Sequence, residues 1–138
     1  MKFVKLIAVG VALLSAGFTF AQKPIRIKVG SEVVAFESEP IEVRGVTMVP
    51  IRTMLDSMGG TMRWDMDKQT VSAWRKSRRF NVVLNSRSAV VNDKPTTMEE
   101  ASLIYKNRIY VPLKFLADAA GYSISMEKNW YVLTSKIK

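Results

Sequence analysis

The chain has no cysteine and no histidine in its 138 residues. Without thiols no disulfide can form, so stability must come from a packed core. Apolar residues make up 48% of the sequence, enough to build one. Without imidazole the commonest general base is gone, and without thiol as well both soft metal ligands are missing. Zinc or copper would be left with carboxylates, which those metals use poorly as sole ligands. Ser–His and Cys–His nucleophilic constellations are excluded. Neither a Walker sequence nor a Gly-rich dinucleotide loop is present. Hydrolysis by a carboxylate pair stays open. The candidate acids for such a hydrolase are Asp65, Asp67, Glu99 and Glu100, all expected on exposed turns.

Long hydrophobic runs are equally scarce. One extends from Leu6 to Phe20, behind the basic Lys2 and Lys5, with small residues Thr19 and Ala21 placed for cleavage before Gln22. That is the layout of a secretory signal peptide. The run is interrupted by Gly10, Ser15 and Gly17, and it falls short of the ~20 residues that cross a bilayer. Residues 1–21 are therefore expected to be a cleaved signal, and 22–138 a single exported domain with no membrane span. No Cys stands at the cleavage point for lipidation. Two of the 21 Lys and Arg leave with the signal, so 19 face 12 acids, a net charge of +7. Such a charge favours anionic surroundings. Export removes cytoplasmic nucleic acid from the partners, which leaves an anionic cell-wall polymer or an envelope protein.

The sequence contains an internal correspondence. Met48-Val49-Pro50-Ile51-Arg52-Thr53-Met54-Leu55-Asp56-Ser57-Met58-Gly59 returns as Tyr110-Val111-Pro112-Leu113-Lys114-Phe115-Leu116-Ala117-Asp118-Ala119-Ala120-Gly121, with Pro112 62 residues after Pro50. Each copy reads as strand, Pro, helix, Gly. Proline suits a first helical position, where its missing N–H has no intrahelical partner in any case. Apolar side chains at i, i+3, i+4 and i+7 give Ile51, Met54, Leu55 and Met58 in one copy and Leu113, Leu116, Ala117 and Ala120 in the other. That spacing makes one buried stripe on a short helix. Gly59 and Gly121 stand where a left-handed residue ends it.

Strands are predicted at Ile25 to Val29, Val33 to Phe36, Thr61 to Trp64, Thr70 to Trp74, Phe80 to Leu84, Ala89 to Val91 and Trp130 to Leu133. Turn signals separate them, among them Asn92-Asp93-Lys94-Pro95. The connections are too short for repeated crossover helices. The expected fold is α+β: a mostly antiparallel sheet packed on two short helices, built from two related strand-Pro-helix-Gly-strand units that complete one sheet together.

These residues resemble the copper amine oxidase N-terminal-like domain, or stalk domain, of exported bacterial proteins. The matching features are the two Val-Pro-(Ile/Leu)-(Arg/Lys) starts with Gly nine residues after each Pro, the stretch Asn107-Arg108-Ile109-Tyr110-Val111-Pro112-Leu113-Lys114-Phe115, and Trp64-Asp65. The resemblance covers about residues 25–134. Departures are Gly45-Val46-Thr47, which lacks an arginine between Gly and Thr, Met126-Glu127 in place of a second Trp-Asp pair, and helical Asp56 and Asp118 where Glu is commoner. The resemblance implies an accessory α+β domain at the cell surface, attached to wall-associated or enzymatic partners. It implies no cofactor and no metal, because copper and quinone belong to a different, histidine-bearing domain of the enzyme. It transfers no ligand.

The densest cationic stretch is Trp74-Arg75-Lys76-Ser77-Arg78-Arg79. With Thr70 to Trp74 paired to Phe80 to Leu84, its four cations would crown a hairpin. Trp74, Arg75, Lys76, Arg78 and Arg79 are therefore the candidate contact for a phosphate or carboxylate polymer. A charged turn that keeps a sheet edge from aggregating would look the same. Trp64, Trp130 and Tyr131 make a second candidate, a sugar-stacking platform, against the more frequent role of such aromatics in the core. Arg52 with Asp56, and Lys114 with Asp118, are expected as exposed ion pairs worth tenths of a kcal/mol. Homo-oligomerisation by edge-strand pairing is a further alternative.

Overall fold

A computed structural model describes residues 24–137. The expected signal at 1–21 lies outside the described residues. The chain runs β1 (Arg26–Val29), β2 (Glu32–Val33), β3 (Ile41–Val43), β4 (Val46–Pro50), α1 (Ile51–Met58), β5 (Thr61–Asp65), β6 (Thr70–Arg75), β7 (Arg78–Val83) and β8 (Ser88–Val91). It continues through β9 (Lys94–Thr97), β10 (Leu103–Tyr105), β11 (Arg108–Pro112), α2 (Leu113–Ala120), β12 (Tyr122–Glu127) and β13 (Trp130–Ser135). The α+β class and the mostly antiparallel pairing agree with the sequence. Among the described residues no helix is long and apolar enough to cross a membrane.

The strands form three sheets, not the single shared one expected: β12-β13-β1-β2, β10-β11-β4-β3 and β5-β6-β7-β8-β9. At the centre β4 and β11 pair antiparallel, with Val49 opposite Val111, Met48 opposite Pro112 and Pro50 opposite Tyr110. The pairing is thus symmetric about two valines that correspond at the 62-residue offset. The flanking hairpins β3–β4 and β10–β11 and the two helices keep the same offset. After the helices the halves diverge. The β5–β6 hairpin extends antiparallel through β9, whereas β13 takes β1 as a parallel neighbour, Ile27 opposite Tyr131.

Both prolines sit one position earlier than predicted. Pro50 (φ −70°, ψ 120°) and Pro112 (φ −61°, ψ 135°) are extended N-cap residues that close a strand, and the helix starts at the following residue. Gly59 (φ 77°) and Gly121 (φ 86°) end the helices in the left-handed region, as expected. All eight stripe residues are buried. Each of the large ones contributes roughly 2 kcal/mol by leaving water. They join one core cluster that reaches all three sheets through Ile27, Val71, Phe80, Val111 and Leu133. Four strands escape the sequence reading, among them β3 and β10, which lead into the strands that end at the prolines. Lys94 to Thr97, assigned partly to a turn, is the edge strand β9, where Pro95 is tolerated because an outer N–H needs no ladder partner. Tyr122 to Glu127 forms β12.

Candidate functional site

The basic hairpin does not present four cations to solvent. On β6 the burial alternates, so Val71, Ala73 and Arg75 point inward while Ser72 and Trp74 point outward. Arg75 is only 4% exposed. Its Nε donates to the Met58 carbonyl at 3.0 Å, Nη1 to the Ala120 carbonyl at 2.8 Å and Nη2 to Ser135 Oγ at 2.9 Å. The guanidinium carbon also lies 4.2 Å from the centre of the Tyr122 ring. One side chain thus caps the C-terminal ends of both helices. Arg78 shares the inward parity of Phe80 and Val82 and donates to the carbonyls of Ala119 and Asp118, at 3.0 and 2.9 Å. Neither helix has a basic residue in its last turn, so these arginines supply from outside the cations that a helix C-terminus favours. Arg75 and Arg78 thus both act as helix caps, and Arg75 is too deeply buried to reach a polymer.

Trp74, Lys76 and Arg79 remain exposed. Lys76 occupies the hairpin turn with φ 54°. Trp74 lies directly opposite Arg79 on β7 and Thr61 on β5. Arg63, one strand away, places its guanidinium 5.6 Å from the Trp74 ring centre. Arg63 has the outward parity of Thr61, and Asn81 that of Arg79. The outer face of the β5–β9 sheet therefore carries one indole with the Arg63 guanidinium over its ring and Arg79 opposite it in register, with Ser72 and Asn81 paired beside them. Arg79 also makes an exposed ion pair with Asp93. Arg63 was not singled out from the sequence. Its two-residue alternation with Thr61, and the pairing of β5 with β6, were the signals that could have placed it there.

A second feature is an open groove of about 370 Å³ between the start of α1, β5 and the β10–β11 hairpin. Met62, Trp64, Ile104 and Ile109 line it with apolar surface, and Arg52 and Arg108 with charge. The position that corresponds in the other half, around Gly45, Val46, Thr47, Leu113 and Lys114, holds a pocket of only about 110 Å³. Glu99 and Tyr131 line it as well, and the Tyr131 hydroxyl lies 3.3 Å from Thr47 Oγ1.

The other expected groupings do not assemble. Trp64 is on β5, whereas Trp130 and Tyr131 lie on β13 of a different sheet, so no common aromatic platform forms. Trp130 instead lies under Arg26 and Lys28, at 5.5 and 5.0 Å. The ion pairs among the described residues are Arg44–Glu100, Arg79–Asp93 and Arg108–Glu37; neither helical i,i+4 pair is formed. Of the candidate acids, Asp65 accepts a hydrogen bond from the Lys68 amide in its turn and Glu100 is held by Arg44, while Asp67 and Glu99 are exposed.

The fold defines a class: a small α+β domain with two helices, each entered from a strand that ends in proline. Within that class, a family model described as the copper amine oxidase N-terminal domain matches residues 28–134. The chain belongs to that family, whose domain is a non-catalytic module. No curated protein matches the chain. The copper of the family name does not fit these residues. The sequence has no His or Cys, and among the described residues no three acids gather as a metal site.

Proposed function

We propose that the protein is an exported, non-catalytic module of the cell envelope that holds an anionic wall polymer against the outer face of the β5–β9 sheet. The observation that supports this most is Trp74, 37% exposed, between Arg63 and Arg79. A planar indole offers an apolar face to a sugar ring, and guanidiniums pair with phosphate or carboxylate in a forked geometry. Lys76 adds a point charge at the end of the face. The excess of positive charge over the whole chain draws such a polymer toward it. A secreted carboxylate-dependent hydrolase is the weaker reading, because each of the pockets described is lined by at most one acid.

Purified protein is expected to sediment with peptidoglycan carrying its anionic polymers and to be released as salt rises, since exposed charges are screened over ~10 Å at 0.1 M. The combined Arg63→Ala, Lys76→Ala and Arg79→Ala variant should lose retention while keeping its melting temperature. Retention indifferent to both salt and this variant would remove the polymer contact. Export has its own test: the secreted protein should begin at Gln22, as read by intact mass.

A further inference from the structure

The groove beside α1 plays no part in that polymer contact. Its floor is apolar, with Met62 and Trp64 from β5 and Ile104 from β10. Ile104 is 53% exposed. A large aliphatic side chain left half in water beside an open cavity gives an apolar occupant something to gain by covering it.

The rim has one sign of charge. Arg52 and Arg108 line it, and no acidic residue does. Arg52 has no ion-pair partner among the described residues. Arg108 gives a single N–H to Glu37 at 3.3 Å, and that carboxylate is itself exposed. Both guanidiniums therefore keep donors for an incoming carboxylate.

The backbone adds a third element. Of the strands that line the groove, β5 and β10 are each the terminal strand of a different sheet. An outer strand carries ladder donors and acceptors that no neighbour fills, and an extended peptide can use them. The corresponding place in the other half shows that an open groove is not imposed by the fold. There Tyr131 reaches Thr47, Glu99 adds a negative side chain, and little space is left.

We propose that this groove binds an extended acidic segment of a partner protein by strand addition. Alternate side chains of such a segment point to opposite faces. One set, aliphatic, would cover Trp64 and Ile104. Carboxylates flanking it would pair with Arg52 and Arg108.

The test uses two end-blocked octapeptides, one alternating valine with glutamate and one alternating valine with lysine, titrated into isotope-labelled protein. The acidic peptide should shift the Trp64 indole resonance and the amides of Ile104 and Arg108 saturably, and the basic peptide should not. Arg52→Glu with Arg108→Glu should weaken the acidic peptide at least about tenfold and admit the basic one. Ile104→Asp should abolish binding of the acidic peptide with the melting temperature unchanged, since the side chain is on the surface. Three results would overturn the proposal: shifts confined to the Trp74 face, affinity indifferent to the double charge reversal, or a dimer in solution that Ile104→Asp splits, which would make a second copy the occupant. Wall retention depends on other residues, so either proposal can fail without the other.

Discussion

Arg75 is a buried cation with no carboxylate beside it, which ordinarily destabilises a fold. It is tolerated because it meets the negative ends of both helices at once and donates to three acceptors. The Tyr122 ring beneath it adds a cation–π contact. Replacing it by Met keeps apolar bulk but leaves the Met58 and Ala120 carbonyls without this donor. Arg75→Met is therefore expected to lower stability by about 3 kcal/mol in urea unfolding. Arg75→Lys should recover only part of this, because one ammonium does not reproduce the fork. Arg79→Ala, four residues on and exposed, should change stability by less than about 0.5 kcal/mol. Equal midpoints for Arg75→Met and Arg79→Ala would show that the capping is idle. The contrast was written in the sequence as strand alternation: Arg75 continues Val71 and Ala73, and Arg79 stands opposite Trp74. A run of adjacent cations conceals it, because neighbours in sequence point to opposite faces.

At the scale of elements, α1 ends on two glycines that do different work. Gly59 adopts φ 77°, and a Cβ added there would meet nothing within 4 Å. Gly59→Ala should therefore cost only the left-handed backbone penalty, about 1 kcal/mol. A Cβ on Gly60 would come 2.8 Å from the Trp74 carbonyl oxygen and 2.9 Å from Leu55 Cδ2. Backbone cannot swing aside as a side-chain tip does, so β6 must move away from α1, and Gly60→Ala should lose roughly 2 to 3 kcal/mol. Thermal unfolding of the two variants checks the order, and a milder Gly60→Ala would refute the close approach. The helices were legible because proline, glycine and a four-residue stripe act locally. The division into three sheets was not, because it turns on pairing across the chain, as in Arg26 with Trp130. The groove was invisible for the same cause, since Trp64 and Ile104 meet only when two sheets are assembled. β12, by contrast, was legible and went unread: Tyr122, Ile124 and Met126 alternate with Ser123, Ser125 and Glu127, the period of a strand, although only Tyr122 of the three is buried.

Over the whole molecule, two halves of similar plan fold as one body because each completes the other. Val49 and Val111 face each other at the centre, both fully buried. Arg75, from the first half, holds the Ala120 carbonyl of the second. In return, Tyr110 of the second half donates to the Glu39 carbonyl of the first, and Tyr122 to that of Met58. The first strand, β1, finds its parallel neighbour in the last, β13. A chain cut between Glu99 and Glu100 would leave each piece with a central strand open on one side and an exposed helix stripe. The second piece is too short to bury a core of its own, and the first loses β11, α2 and β13, which its own strands and helix pack against. Each fragment is therefore expected to be unfolded by circular dichroism, and the two mixed in equal amounts should regain the spectrum of the intact chain. In the uncut protein, tryptophan fluorescence and far-ultraviolet dichroism should lose structure in one coincident transition. A first fragment with native-like dichroism of its own, or two separated transitions in the intact chain, would mean that the halves are independent and that the β4–β11 pairing is only a contact between them.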